Sequence, residues 1–244
     1  MLKDGCEAGT GVIRSFLMIG QSNMAGRGEF ADVEPIRNDL CYMLRMGRWQ
    51  PMSEPINPDR AISGILYHSG VGLAASFADE MAKHTNTKIG LIPCADGGTS
   101  LSQWMPGEIL FDHAVMQAKL ARRTSVLSGI LWHQGEADCG SDERVNSYKE
   151  RFITMITRMR QELGSDIPVV IGELSRSYAP KHNLNEDAAR LNKIFCEIAE
   201  ELPCCAVACS EGLTMKPDGV HFDAAACRVF GVRYFEKMLC LQSR

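Results

Sequence analysis

The sequence lacks the marks of several common protein classes. Its 26 basic residues face 30 acidic ones, for a formal charge of −4, so there is no basic footprint for nucleic acid. No run of five or six like charges occurs. The apolar run Phe16 to Ile19 falls far short of the roughly 20 residues that a membrane-spanning helix needs. The opening Met-Leu-Lys-Asp-Gly-Cys-Glu-Ala-Gly-Thr has no basic start followed by a long apolar stretch, and does not read as a signal peptide. A cytoplasmic location is the expectation that follows. Ten cysteines are present without a Cys-x-x-Cys pair. With no export signal they are expected to be reduced thiols. Cys204, Cys205 and Cys209 form the tight cluster, and the plain reading is small hydrophobes in a strand-like run. A zinc site would need a second ligand pair, so no metal is expected.

What is present suits an ordinary globular chain. Hydrophobic residues make up 45% and charged residues 23% of 244 positions, enough for one domain with its own core. Short apolar runs at Arg14–Ile19, Lys88–Pro93, Gly129–His133, Pro168–Gly172 and Cys204–Ala208 read as strands covered on both faces. Amphipathic patterns over Gly72–His84, Ile109–Arg123, Val145–Leu163, Asn185–Leu202 and Ala224–Leu241 read as helices between and after them. This alternation predicts an α/β fold with a five-stranded parallel sheet and helices on both faces. Catalytic loops of such sheets lie at the carboxyl ends of the strands. The segment 29–70 holds Pro35, Pro51, Pro55 and Pro58 and a possible short hairpin around Leu40–Gln50. It is too long for a plain connection and is expected to be an insertion lying over the site.

Directly after the first strand comes Gly20-Gln21-Ser22-Asn23-Met24-Ala25-Gly26-Arg27-Gly28. A serine at a strand-to-helix turn has its hydroxyl pushed clear of the sheet. Its N–H, in the first helical turn, can face a developing oxyanion. A simple helix cap is the plain alternative. The glycines fit neither the Walker pattern nor Gly-x-Gly-x-x-Gly, which disfavours a nucleotide site. Near the other end stands Asp218-Gly219-Val220-His221-Phe222. A serine hydroxyl needs a base, histidine titrates in the right range, and a carboxylate three residues earlier can orient it. Between these lie Asp96-Gly97-Gly98-Thr99-Ser100 and Trp132-His133-Gln134-Gly135-Glu136-Ala137-Asp138. Gln134 could donate its amide to an oxyanion, and Glu136 competes with Asp218 as the partner of His221. His133 reads better as part of a polar network that locks loops together. His68, His84, His113 and His182 have no motif context and read as surface or core residues.

Together, Gly-Gln-Ser-Asn-Met-Ala-Gly-Arg-Gly, Gly-Gly-Thr-Ser-x-x-x-Trp, Trp-His-Gln-Gly-Glu and Asp-Gly-Val-His resemble the motifs of the sialate O-acetylesterase-like domain family. That family includes the carbohydrate esterase family 6 acetylxylan esterases and lies within the SGNH hydrolase superfamily. The resemblance runs from Gly20 to about Phe222. It implies a flavodoxin-like three-layer α/β/α sandwich and ester hydrolysis without metal or cofactor. Ser22 matches the nucleophile, and Asp218 and His221 match the last block. Gly97 matches the glycine whose N–H meets the oxyanion, and Gln134 stands where many relatives carry asparagine. Gln21 and Gly98, beside them, are further candidates for oxyanion or substrate contacts. The family's third triad member can be either the last-block aspartate or the glutamate of His-Gln-Gly-Glu, so Asp218 and Glu136 both stay open. The implied substrate is a small-molecule or oligosaccharide acetyl ester, with no nucleic acid or membrane partner. Trp104, Trp132, Gln103 and Arg27 would suit a sugar platform. The rival readings are a lipid or thioester hydrolase with a long apolar acyl groove, and a non-catalytic carbohydrate-binding relative.

Overall fold

The computed structural model describes residues 11–59, 68–164, 166–177 and 184–243. The first strand, β1 (Ile13–Gly20), shows how the layers arise. Side chains of a strand point alternately to opposite faces. Phe16 and Met18 therefore enter one buried cluster, and Leu17 and Ile19 enter the other. On the Phe16 side lie α2 (Ala74–Thr85) and α7 (Ala224–Gln242), packed on each other. On the Leu17 side lie α3 (Ile109–Ala121), α5 (Tyr148–Leu163) and α6 (Asn185–Glu201). The result is the expected three-layer α/β/α sandwich. Among the described residues, no helix is long and apolar enough to cross a membrane.

The sheet has seven strands, in the order β3-β2-β4-β1-β5-β6-β7. The five expected strands are β1, β4 (Ile89–Pro93), β5 (Ser125–His133), β6 (Val169–Gly172) and β7 (Cys205–Ala208), all parallel. Two more come from the segment read as an insertion, so the five-strand expectation was short. β2 (Cys41–Arg45) pairs parallel to β4, and β3 (Arg48–Pro51) closes an antiparallel hairpin with β2 at the sheet edge. The edge strand is mostly exposed and ends on a proline, which hides it from a search for apolar runs. The helix expected over Val145–Leu163 is broken at Ser147, which ends α4 (Asp142–Asn146) and starts α5. The Ser147 hydroxyl donates to the Glu143 carbonyl (2.7 Å), and such back-bonding competes with the helix ladder.

The described part of 29–70 forms sheet edge and core packing, and none of residues 29–59 lines the cleft at Ser22. Met43, Met52 and Ile56 join the buried cluster under α2 and α7. Glu54 binds Arg228 of α7 through both carboxylate oxygens, with Nη1 to Oε1 at 2.8 Å, and both side chains are largely buried. His182 lies outside the described residues. His68 is exposed against Asp59, and His84 packs edge-on against Phe235. Nine described cysteines are free thiols. Cys205 is buried, but Cys204 is exposed and Cys209 half-buried, so only one of that cluster behaves as a core residue.

Removing one partner of a buried ion pair strands the other charge in the interior. Glu54→Ala should lower the free energy of unfolding by about 3 kcal/mol in a urea titration. Glu54→Met combined with Arg228→Met should recover most of that loss. Equal stability of the single variant and the parent would mean that the segment is not braced in this way.

Candidate active site

β1, β4 and β5 lie side by side, and the loops at their carboxyl ends meet where the strand order reverses, the usual ligand position in an open α/β sheet. Gly20 ends β1 at φ +126°, and a Cβ there would stand 2.1 Å from the His133 carbonyl oxygen. Only glycine tolerates that approach. The Gln21 N–H donates to the His133 carbonyl (2.8 Å), and the Asp96 N–H donates to the Gly20 carbonyl (2.9 Å). These two bonds lace the three strand ends together. The chain then turns into α1 (Ser22–Ala25), whose first N–H groups have no carbonyl one turn behind them to bond.

Ser22 is 5% exposed and lines a cleft of about 260 Å³. Its Oγ lies 3.0 Å from Nε2 of His221. Nδ1 of His221 lies 2.8 Å from Oδ2 of Asp218, whose Oδ1 accepts the N–H groups of Val220 (2.8 Å) and His221 (2.9 Å). Burial pushes the Asp218 carboxyl up. The His221 N–H, the imidazole and the Val220 N–H outweigh it and hold the group below its ordinary value. Asp218 is thus a carboxylate set against the ring. Of the two competing acids, it is the one brought to His221.

Glu136 reaches the same cleft but serves other partners. Its Oε1 accepts from Nδ2 of Asn23 (2.5 Å) and from Nε2 of His133 (3.2 Å). Burial raises the Glu136 carboxyl, but the charge and hydrogen bonds of His133 and the Asn23 amide more than offset this, so it too sits below its ordinary value. His133 is fully buried, with Nδ1 3.3 Å from the Tyr234 hydroxyl and its ring edge-on to Phe222 and Phe230. The reading of His133 as a network residue agrees with this placement.

Gln134 is placed differently from the expectation. Its Nε2 donates to Asp138 Oδ2 (2.7 Å), to the Thr99 carbonyl (3.0 Å) and toward Gln21 Oε1 (3.3 Å), while its own Oε1 accepts from the Tyr148 hydroxyl (2.8 Å). It is wholly buried, so its amide braces loops and has no proton to offer an oxyanion. Gln21 faces the cleft instead. Its carbonyl oxygen is taken by Gln134 and by the Ala137 N–H (both 3.3 Å), which sets its amide nitrogen on the other side. Gly98, at φ +72°, is exposed and lines the cleft, whereas Gly97 beside it is buried. Trp104 and Trp132 are also buried, edge-on to each other, with their N–H groups on Thr99 and Tyr148. They are core residues and form no sugar platform. Gln103 accepts the Ser100 N–H in a capping box. Of the four platform candidates, only Arg27 lines the cleft.

Two residues with no assigned role in the sequence reading are central here. Asp138 joins the Gln134 amide, the Leu101 N–H (2.8 Å) and Arg151 (3.2 Å), tying the second motif block to the third. Asn23 joins Glu136 to the loop of His221, through Val220 and Phe222. Both stand inside the motifs already quoted. Their signal was a short polar side chain at a strand end where burial demands partners.

The protein is similar over most of its length to proteins of known sequence and structure. An Arabidopsis thaliana protein described as a probable carbohydrate esterase is 27% identical over 233 residues, covering 86% of this chain and 84% of that protein. Its crystal structure superposes with a TM-score of 0.82 at 24% identity, covering 93% of this chain and 98% of that one. NanS superposes with a TM-score of 0.78 at 17% identity over 96% and 99% of the two chains. A carbohydrate acetylesterase from Xanthomonas citri gives 0.62 at 18% identity, over 92% of this chain and 55% of that one. The sequence profile described as "Carbohydrate esterase, sialic acid-specific acetylesterase" matches residues 12–240. The chain therefore belongs to this carbohydrate esterase family, whose members are carboxylic ester hydrolases.

Proposed function

We propose that this protein removes acetyl groups from sugar hydroxyls by serine catalysis through an acetyl-enzyme. The observation that carries the reading is the unbroken line from Ser22 Oγ to His221 Nε2 and from His221 Nδ1 to Asp218 at 3.0 and 2.8 Å. His221 takes the Ser22 proton as Oγ attacks the acetyl carbonyl. The tetrahedral oxyanion is met by the Ser22 N–H, the turn of Gly97 and Gly98, and the Gln21 amide. His221, now an imidazolium steadied by Asp218, returns the proton to the departing sugar oxygen. Water, deprotonated by the same ring, then releases acetate and restores Ser22. An acetylated sialic acid and an acetylated plant-type oligosaccharide are both within this class.

A lipid or thioester hydrolase would need an acyl groove with apolar walls. Among the described residues lining the cleft, only Ala137 and Val220 carry apolar side chains. This supports a short acyl group on a polar alcohol. The intact Ser22–His221 pair speaks against a purely binding role.

Ser22→Ala should fold normally and lose at least about 10⁴-fold in kcat on p-nitrophenyl acetate. The parent should prefer the acetate to p-nitrophenyl octanoate. Full activity without Ser22 would sink the scheme, and a preference for octanoate would shift it toward lipid substrates.

Asp218 is partly open to solvent, so water can replace some of its support for the imidazolium. Asp218→Asn should lower kcat by about 10²- to 10³-fold, less than the roughly 10⁴ seen where such a carboxylate is buried. Glu136→Gln should cost clearly less, and the reverse order would exchange the two roles.

Gln21→Leu keeps most of the volume but removes the amide. A loss of about 10²-fold in kcat with KM little changed marks an oxyanion donor. A rise in KM alone would make Gln21 a ground-state contact.

A further inference from the structure

We infer that Asn23, held in one amide orientation by Glu136, is the positioning residue that fixes the His221 loop against the Ser22 helix. The inference rests on the proposed roles of Ser22 and His221. Pro217 and Asp218 stand exposed at the surface, and the ring beside them must meet Ser22 to within tenths of an ångström. Asn23 is the next residue after Ser22 and is 3% exposed. Its Nδ2 donates to the Val220 carbonyl (3.1 Å), and its Oδ1 accepts the Phe222 N–H (3.1 Å). These two bonds grip the main chain on either side of His221. Nucleophile and base are thereby set by adjacent residues of one short helix.

An amide can do this only in one of its two flipped states. Turned by 180°, its oxygen would face the Val220 carbonyl and its NH₂ would face the Phe222 N–H, losing both bonds. Glu136 settles the choice. As a carboxylate it only accepts, so the nitrogen must be the atom 2.5 Å from its Oε1. Glu136 is itself held by His133, whose other ring nitrogen faces Tyr234 on α7. The buried carboxylate at the cleft, bonded to Asn23 and His133, thus orients the clamp that holds the base.

The test uses p-nitrophenyl acetate kinetics well below each variant's melting temperature, with Ser22→Ala as control. Asn23→Ala should lower kcat by about 10²-fold, as expected when a reacting group is displaced by about an ångström, with KM within about twofold of the parent. In a His221→Ala background the same substitution should cost less than about twofold, because its effect runs through His221. Asn23→Asp, nearly identical in shape, places a carboxylate against Glu136 and should be at least as damaging. Adding Glu136→Gln to Asn23→Asp restores a donor between the two side chains and should regain about tenfold. An Asn23→Ala enzyme with parental kcat, or a loss carried in full into the His221→Ala background, overturns the positioning role. Should Asn23→Ala fail to fold, Asn23→Asp decides, and no regain in its Glu136→Gln double variant overturns the orientation role. Parental kcat in Asn23→Ala with Ser22→Ala inactive removes the clamp alone, whereas turnover surviving Ser22→Ala removes the functional reading as well.

Discussion

At Gly20 the first strand passes so close to the main chain of His133 that no side chain fits between them. That approach sets the geometry of everything at this end of the sheet. It lets the Gln21 N–H reach the His133 carbonyl and the Asp96 N–H reach the Gly20 carbonyl. With β1, β4 and β5 locked at their ends, the chain can turn at once into α1 and present Ser22 at the cleft. Were β1 to end even slightly farther from β5, Gln21 would lose its main-chain bond to His133 and its side chain would move away from Gln134 and Ala137.

The network behind the cleft follows from the same crowding. Three strand ends converge, and each is followed by a buried polar side chain: Gln21, Asp96 and Gln134. Buried polar groups must find partners or cost free energy. Gln134 therefore spends its amide on Thr99 and Asp138, Asp138 reaches Arg151, and the Tyr148 hydroxyl closes on Gln134. Burial pushes the Tyr148 hydroxyl well above its ordinary range, so it stays protonated and can keep donating. Satisfied networks of this kind are rigid. Rigidity is what an oxyanion site requires, because its donors must already point at the place where charge develops.

The sequence made the layered fold legible because its central strands are buried on both faces and read as short continuous apolar runs. The edge hairpin was harder to see. Arg48–Pro51 is largely exposed and carries no such run, although a short hairpin around Leu40–Gln50 was among the readings of this segment. Ser22 and His221 stood out as candidates because nucleophile chemistry names its residue types, while Asp218 and Glu136 both stayed open as the partner of His221. Gln21 was named as a candidate contact and lines the cleft, whereas the surroundings of Gln134 and Glu136 were not legible, because they depend on which neighbour claims each donor and acceptor. One residue type at the mouth of a strand is either an oxyanion donor or a brace, and only the partner decides. The tryptophans make the same point: their place in the motifs suggested a sugar platform, and burial puts both of them in the core.

Asp218 and Glu136 show how environment divides labour between two carboxylates. Both are held below their ordinary values, yet by different means and to different ends. Asp218 sits on a partly exposed loop, where two N–H groups of its own turn fix it and leave one oxygen for the imidazole. Its side chain is partly open to solvent, and its free oxygen lies 2.8 Å from Nδ1 of the imidazole. Glu136 is almost wholly buried, where an acceptor-only group imposes orientation on every donor it touches. The Asn23 amide is one of those donors, and it holds the loop on which Asp218 and His221 ride. The two acids that the sequence offered for one position thus have different partners: Asp218 meets the His221 ring, and Glu136 meets the Asn23 amide and the His133 ring.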